Sequence, residues 1–330
     1  MKTEMGKYLY GIINSENRQS FGNIGLDNGE VYSVQFEDVG AVVSDIPENR
    51  EVGIAEVKIH EATLRKIMET HAVIPMNFGI IAKDEAETKK VLKQARMKLK
   101  KTLEKVDNKL QINVKISWDK VVLADILKES GEIRKLTREA KEKADQSLMI
   151  ELGRKVKLVL DKWKSEYVED VKSSLKSLSD ELDENKVTDQ NTLMHAAFLV
   201  NKKREQEFYS KLEELEKKYE RKLEFLAVGP LPPYNFTKVG VTRINFDDVE
   251  AARKALGLSH EVSISEISSA YNMLVRRYHP DLHLGDPHAE EKFKEIKSAY
   301  SLLTKYCEHY LCSLQKTVVE ETILVEEKGS

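Results

Sequence analysis

The stretch GPLPPYNF at residues 229–236 divides the chain into two parts of different character. It contains three of the seven prolines in the sequence. Proline has no backbone N–H and a fixed φ angle, so this stretch is excluded from a regular helix or a central strand. We expect a rigid, extended exit from the domain that precedes it. Strands and helices alternate before the stretch, whereas a linker at residues 237–246 and a helical region follow it.

Residues 1–118 are predicted to form an N-terminal α+β domain, a variant of the ferredoxin-like fold. Short runs that are rich in β-branched and aromatic residues and bounded by Gly, Asn, Asp or Pro predict strands. Apolar residues at helical spacing predict helices around residues 52–70 and 84–106. The predicted strands are KYLYGII (7–13), VYSVQF (31–36), GAVVSD (40–45), AVIPMNFGII (72–81) and QINVKISW (111–118).

Residues 119–236 are predicted to form a second α+β domain with a long helix. A strand at 192–200, a helix at 202–219 and a strand at 222–229 suggest a ferredoxin-like unit. Residues three or four apart form one apolar stripe along the long helix, which we interpret as a core-facing or coiled-coil seam. The stripe consists of Leu152, Val156, Val159, Trp163, Tyr167, Val171, Leu175, Leu178 and Leu182.

The charge balance and the cysteines narrow the class of protein. With 53 basic and 56 acidic residues the net charge is −3, which argues against a dedicated nucleic-acid binder, because such proteins carry a basic excess on one face.

Cys307 and Cys312 have no second pair with which to complete a zinc site, so we expect reduced thiols in a cytosolic protein. The start of the chain does not read as a secretory signal. No apolar run approaches the ~20 residues that span a bilayer, so we expect a soluble protein without membrane insertion.

Motifs of enzymatic chemistry are missing from the sequence before residue 237. It contains no glycine-rich phosphate loop, no HExxH pair and no nucleophile elbow. His60, His71 and His195 are isolated, and we interpret each as structural or solvated rather than catalytic. We therefore expect neither an enzyme nor a cofactor.

Five segments within residues 6–236 resemble the gas vesicle protein L/F family in order and spacing. They are YLYGII, AVVSDIP, AVIPMNFGII, VKISWD and AVGPLPPYNF. The last is the most specific, through Gly229, Pro230, Pro232, Pro233, Tyr234 and Phe236. The resemblance implies a non-enzymatic accessory protein at the gas vesicle, in the cytoplasm, that contacts the hydrophobic shell subunit and other accessory proteins during assembly. An aggregation-prone apolar subunit needs to be held until it joins the shell.

Residues 247–312 are predicted to form a helical module, followed by a tail at 313–330. We expect residues 318–330 of this tail to be a mobile, strand-like extension. A first helix over 247–258 ends at Gly257, a residue type suited to a left-handed C-cap. Ser263 and Glu266 form a capping box for a second helix. Asp286 and Pro287 are an N-cap and first helical residue for a third.

The module resembles the J-domain of DnaJ-type co-chaperones, through ALGLS, AYNMLVRRYHPD and AEEKFKEIKSAYSLL. The resemblance implies an all-α helical hairpin whose His279-Pro280-Asp281 loop, with Arg276 and Arg277, docks on a DnaK-type chaperone ATPase. Proline would fix the loop before binding, and Asp281 would accept a charge-assisted hydrogen bond from a partner's arginine.

Two features depart from the J-domain family. Asn272 and Met273 stand where that family has further basic residues, one turn earlier in the helix. The family's fourth helix, with its QKRxxYD-like motif, is not visible in CEHYLCSLQKTV.

Three functions remain open from the sequence. The first is an assembly factor that recruits a chaperone, and the second is a minor structural component of the mature vesicle whose J-like module is only a contact surface. The third, an enzyme that uses a metal on His279 and His283, is the least favoured. These histidines are four residues apart, but Pro280 breaks the helix that would place them on one face.

Overall fold

The computed structural model of the protein describes residues 5–327 except for several short segments. Within that range the description leaves out residues 48–49, 51, 120, 123–124, 126–129, 144–145, 188, 190, 238, 244, 280–285, 308–310 and 321–322. The chain divides into two compact units, the first extending to residue 238 and the second covering residues 239–327. The finer division of the first unit at residues 118 and 119 stays a prediction.

The first unit begins with a six-stranded antiparallel sheet on which two helices pack. Its strand order is β2-β3-β4-β1-β5, and β6 also pairs with β1. Helix α2 starts at an N-cap, Asp84, whose carboxylate accepts a hydrogen bond from the N–H of Glu87. The elements are β1 (Met5–Asn14), β2 (Ser20–Gly22), β3 (Val31–Phe36), β4 (Val39–Pro47), α1 (Ile54–Met68), β5 (Val73–Pro75), β6 (Ile81–Ala82) and α2 (Glu85–Val106).

The run AVIPMNFGII, predicted as one strand over 72–81, forms two short strands instead. Strand β5 ends at Pro75, whose missing N–H would face away from β1, because the next N–H, of Met76, still donates to the Tyr10 carbonyl at 2.9 Å. Gly79 then adopts a φ of 87°, in the left-handed region that favours glycine, and the chain turns before β6. The segment between the two strands is therefore a loop at the sheet edge.

A second antiparallel sheet follows in the order β10-β7-β9-β8. Helices connect β7 to β8 and β9 to β10, and one other strand lies between the two members of each pair, which is the split β-α-β arrangement of ferredoxin-like folds. The predicted α+β class is confirmed. The elements are β7 (Lys109–Trp118), α3 (Gly131–Lys143), α4 (Gln146–Lys176), β8 (Glu181–Glu184), β9 (Thr192–Asn201), α5 (Glu205–Lys218) and β10 (Leu223–Leu231).

The two sheets of the first unit share one hydrophobic core. Tyr8 and Ile13 of β1 belong to the same buried cluster as Ile112 of β7 and Phe198 of β9. Continuous burial of this kind is the main favourable contribution to the stability of a domain.

The apolar stripe on the long helix is buried only toward its C-terminal end. Tyr167, Val171 and Leu175 are buried on α4, whereas the first half of the helix packs beside α3 and stays more exposed. The helix begins earlier and ends earlier than the stripe predicts, so that Leu182 lies in β8. Among the described residues, none of the helices combines the length and the apolar character of a membrane span.

The second unit contains the predicted helical hairpin together with two short strand pairs. Strand β11 pairs with β14, and β12 pairs with β13, both antiparallel. The predicted linker at 237–246 therefore contains a strand, and the predicted tail at 313–330 contains the strand that pairs with it. The elements are β11 (Val239–Arg243), α6 (Phe246–Leu256), β12 (Glu261–Ser263), α7 (Ile264–Tyr278), α8 (Pro287–Tyr306), β13 (Leu311–Ser313), α9 (Lys316–Glu320) and β14 (Ile323–Glu327).

The helix boundaries of the second unit follow the caps predicted from the sequence. Gly257 ends α6 with a φ of 67°, in the left-handed region. Ser263 and Glu266 form the predicted capping box of α7. The Asp286 side chain accepts a hydrogen bond from the N–H of His288 at the start of α8.

Cys307 and Cys312 form a disulfide, so the expectation of two reduced thiols is wrong for this structure. Cys307 ends α8 and is buried. The chain then turns back to form β13, which contains Cys312, and the two Cα atoms lie 5.6 Å apart. That separation falls within the range that a disulfide spans without backbone movement.

Candidate functional site

The predicted docking residues lie at the C-terminal end of α7. Arg276 and Arg277 occupy its last turn, and both side chains are exposed. His279 follows with φ −62° and ψ 132°, the extended geometry that a following proline favours. Pro280 and Asp281, the other two residues of the predicted loop, lie outside the described residues.

The imidazole of His279 lies against the third helix of the module. Its ring meets Phe293 of α8 edge to face, with 5.8 Å between the ring centroids. A second aromatic contact joins the same two helices: the ring of Tyr271 stacks on that of Tyr300, with 4.1 Å between the ring centroids. The start of the loop is thus positioned by packing between α7 and α8.

One exposed face of α7 leads to the two arginines. Ser269, Asn272, Met273, Arg276 and Arg277 line a shallow depression along this face. These positions repeat at intervals of three and four, so they share one side of the helix. Met273 is 64% exposed and lies between the polar residues and the arginines. The face therefore combines cationic side chains with an apolar contact, as protein docking surfaces often do.

The negative charge of α7 is confined to its start. Glu266 accepts hydrogen bonds from the Ser263 hydroxyl at 2.7 Å and from the Ser263 N–H at 2.8 Å. These hydrogen bonds lower the pKa of Glu266. No acidic residue occurs between Ile267 and His279, so the far end of the helix presents only positive charge. A second role for the arginines is to complement the helix dipole at the C-terminus.

The proline-rich stretch lies at the edge of the second sheet, as its composition predicts. Gly229 and Pro230 are within β10, which is an outer strand, and the peptide bond between them is cis. A Cβ atom on Gly229 would lie 3.0 Å from the Tyr209 hydroxyl and 3.2 Å from the Gln111 carbonyl oxygen. A side chain at residue 229 would therefore force its neighbours apart.

The end of the stretch is held by a polar network that sequence reasoning missed. The N–H of Asn235 donates to Oε1 of Gln111 at 2.8 Å, and Nε2 of Gln111 donates to Oδ1 of Asn235 at 2.9 Å. Nδ2 of Asn235 also donates to Asp183 at 2.7 Å. Gln111 is almost fully buried. Asn235 lies within the quoted motif, but nothing in the sequence pointed to its partner 124 positions away.

The remaining residues of the stretch are buried or half-buried. The carbonyl oxygen of Pro233 accepts hydrogen bonds from the N–H groups of Phe236 and Thr237. Phe236 is 5% exposed and packs with Ala197 and Leu199 of β9. Tyr234 packs against the shared core of the first unit. Pro232 and Pro233 are also buried, whereas Pro230 is exposed, and the structural role of the six residues stays a prediction.

The three histidines that precede the proline-rich stretch lie on separate elements of the first unit. His60 lies in α1, His71 follows that helix, and His195 lies in β9. Within the described part of the chain, no three His, Cys, Asp or Glu side chains are placed to hold a metal ion. His283 lies outside the described residues.

Comparison with known proteins matches both parts of the chain. A family model described as gas vesicle synthesis protein GvpL/GvpF matches residues 6–238, and one described as DnaJ domain matches residues 254–308. Gas vesicle protein F of Nostoc sp. is 24% identical over 240 residues, which cover 71% of this chain and 98% of the relative. Chaperone protein DnaJ of Halothermothrix orenii is 53% identical over 49 residues, which cover 15% of this chain and 13% of the relative.

The fold of the first unit is shared with a solved structure. The crystal structure of the gas vesicle protein GvpF from Anabaena sp. aligns with a TM-score of 0.60 and 24% identity. The alignment covers 69% of this chain and 96% of that chain.

Proposed function

Because the chain belongs to the gas vesicle GvpL/GvpF family and carries a DnaJ domain, we propose that it is an assembly factor that brings a chaperone to gas vesicle proteins. In this proposal the first unit binds the shell subunit or other accessory proteins. The second unit recruits a DnaK-type chaperone ATPase. The protein would act in the cytoplasm, at the gas vesicle, without catalysing a reaction and without a cofactor.

The observation that carries the proposal is the acid-free end of α7. The chain places Arg276 and Arg277 on an exposed surface directly before His279, and Phe293 holds the imidazole. Arginine is suited to acidic partners because its guanidinium donates hydrogen bonds in a fixed fork. We propose that His279, Pro280 and Asp281 complete the docking surface.

The fusion of the two parts supports the assembly role. Linking a chaperone-recruiting module to a body that binds vesicle proteins raises the local concentration of chaperone around those proteins. A hydrophobic shell subunit exposes apolar surface before it is incorporated, and such surface aggregates when it is left uncovered. A chaperone recruited to the same site would keep the subunit available for assembly.

Stimulation of the host DnaK-type ATPase by the full-length chain tests the recruiting role. We expect wild type to stimulate hydrolysis and His279→Gln to abolish stimulation without changing the circular dichroism spectrum. His288→Gln is the matched control, because His288 is an exposed histidine of the same unit outside the predicted loop. If wild type gives no stimulation over a wide concentration range, the recruiting role is wrong.

A second candidate is a minor structural component of the mature vesicle, with the module as a contact surface only. Met273 favours it, since an exposed apolar side chain stands where J-domains have a basic residue. Washed, intact vesicles distinguish the two. Abundant protein in them supports the structural role, and absence of the protein there supports a transient assembly factor.

A further inference from the structure

A cavity of about 180 Å³ lies beside helix α1 in the first unit. Three segments that carry the gas vesicle resemblance meet around it, namely the YLYG strand, the PMNFG loop and the PYNF motif. None of these segments has a part in the chaperone docking described above. The cavity is lined by Val57, His60, Glu61, Pro75, Met76, Asn77, Phe78 and Tyr234.

The orientation of the His60 ring follows from its contact with Tyr8. The Tyr8 hydroxyl lies 2.9 Å from Nδ1 of His60, and the same oxygen accepts a hydrogen bond from the N–H of Gly79 at 3.3 Å. We assign the Tyr8 hydroxyl as the donor to Nδ1, because its oxygen already accepts from Gly79. In the neutral imidazole of that tautomer, Nε2 carries the hydrogen.

Aromatic neighbours hold this histidine neutral. Tyr10 stacks on the ring with 5.6 Å between centroids, and Phe78 meets it edge to face at 5.8 Å. Burial lowers the pKa of His60 to about 4, although a hydrogen bond with the backbone of Met76 raises it. Nε2 is buried, and by the geometry of an ordinary N–H···O bond it has no partner among the described residues.

A second buried donor comes from the proline-rich stretch. The hydroxyl of Tyr234 is likewise buried and without a hydrogen-bond partner among the described residues. Burial and the nearby Glu61 carboxylate raise the pKa of Tyr234, so the hydroxyl keeps its proton. Buried polar groups in native proteins are nearly always hydrogen-bonded, because an unsatisfied group costs free energy. Two such groups beside one cavity indicate a site whose occupant supplies the missing acceptor.

The walls restrict the chemistry of that occupant. Val57, Pro75 and Phe78 are apolar, and both donors are neutral, so an apolar group with an uncharged acceptor oxygen fits. Of the described residues that line the cavity, Glu61 alone carries a charge, and it disfavours an anion. The volume exceeds the share of one water, about 30 Å³, and is below the ~300–1,000 Å³ of typical pockets for larger ligands.

The surface beside the cavity indicates that the occupant is part of a larger molecule. Ile54 is 91% exposed at the start of α1. It is three residues before Val57 and seven before Glu61, so these residues share one face of the helix. An exposed isoleucine on the helix face that contains two lining residues of the cavity offers a polypeptide a second apolar contact outside it.

We propose that this cavity receives an apolar side chain and the adjacent backbone carbonyl of a partner polypeptide, with His60 Nε2–H and the Tyr234 hydroxyl as donors. That the partner is a gas vesicle protein rests on the proposed function. The binding chemistry does not depend on the proposed function, because the two donors and the apolar walls of the cavity define that chemistry.

Titration of the full-length chain with N-acetyl-leucine N′-methylamide tests the binding chemistry. The probe carries one apolar side chain between two carbonyls. With ring-¹⁵N histidine, we expect a saturable shift of the His60 Nε2–H signal. Tyr234→Phe should fold normally, because its hydroxyl has no partner, yet bind about fivefold more weakly, which corresponds to one neutral hydrogen bond.

Two variants and a second probe sharpen the outcome. Tyr219→Phe is the matched control, because its hydroxyl bonds to Asp170 elsewhere, and we expect unchanged affinity. Val57→Phe fills the cavity from α1 and should abolish the shift. The absence of a saturable shift in wild type, equal affinity for N-acetyl-glycine N′-methylamide, or full affinity in Tyr234→Phe would each overturn the proposal.

Vesicle yield connects the cavity to its partner. In cells that require this chain for vesicles, Tyr234→Phe should lower the yield while chaperone stimulation stays normal. A normal yield refutes a vesicle protein as the occupant. Vesicles that form without the chain refute the proposed function instead, and the probe titration is then still decisive for the cavity.

Discussion

Replacement of Gln111 by leucine should destabilise the first unit more than any other single polar change in the second sheet. The side chain is 1% exposed and makes three hydrogen bonds, two to Asn235 and one from Nε2 to Oδ1 of Asn113 at 2.8 Å. At about 1 kcal/mol for each neutral bond, Gln111→Leu costs about 3 kcal/mol. For a unit of this size that corresponds to a fall in Tm of roughly 6–12 °C.

Urea unfolding followed by tryptophan fluorescence measures this effect selectively. The two tryptophans, Trp118 and Trp163, both lie in the first unit, so the signal does not include the second. Asn113→Leu is the comparison, because it removes only one of the three hydrogen bonds and should cost about 1 kcal/mol. If Gln111→Leu costs no more than Asn113→Leu, the network does not anchor the proline-rich stretch and the reasoning is refuted.

Three further perturbations have defined outcomes. Gly257→Ala should destabilise the second unit by about 1 kcal/mol in thermal unfolding, because a side chain is strained at a φ of 67°. Gly153→Ala is the control, since Gly153 lies in the exposed part of helix α4, and it should stabilise the first unit by about 0.5–1 kcal/mol. Burial lowers the pKa of His60 to about 4 in the folded chain, from 6.5 in the unfolded chain, so the folded state loses stability as the pH falls from 6.5 toward 4. His60→Gln should flatten this dependence when the free energy of unfolding is measured against pH. An unchanged slope in the variant contradicts the prediction. Reduction of the Cys307–Cys312 disulfide should lower the calorimetric stability of the second unit by about 2 kcal/mol, because the closed loop is short, and should leave the tryptophan transition unchanged.

The helical module was predictable because its signals are local. Ser263 and Glu266 are three residues apart, and Asp286 precedes Pro287 directly, so each helix start is encoded within a few residues. The same reason explains the correct left-handed end of α6 at Gly257. These local signals fixed the helices that present Arg276.

The strand pairings were not predictable because they depend on distant residues. Strand β14 pairs with β11 about eighty positions earlier, and neither segment is long or strongly patterned. The run over 72–81 forms two strands rather than the predicted one, and its apolar composition hides the end of β5 at Pro75 and the turn at Gly79. A period-two pattern says nothing about which backbone groups find a partner.

The candidate sites divide in the same way. The arginines at the end of α7 follow from a short motif, and the structure places them on one exposed face as expected. The cavity at His60 does not follow from the sequence, where this histidine is isolated and its pattern indicates a structural or solvated residue. Its environment is assembled from β1, α1, the loop after β5 and Tyr234, which are far apart in the chain. Only a folded structure brings such groups together.

The pairing of β11 with β14 makes the second unit a cassette. Val239 and Glu327, its first and last residues, face each other across the ribbon, so the unit enters and leaves at one point. A segment with adjacent ends can be inserted into a surface loop of an unrelated protein without stretching either side of the insertion. Residues 239–327 can therefore be inserted as one unit into another protein, where they would present the Arg276–His279 surface while the β11–β14 ribbon keeps the two ends together.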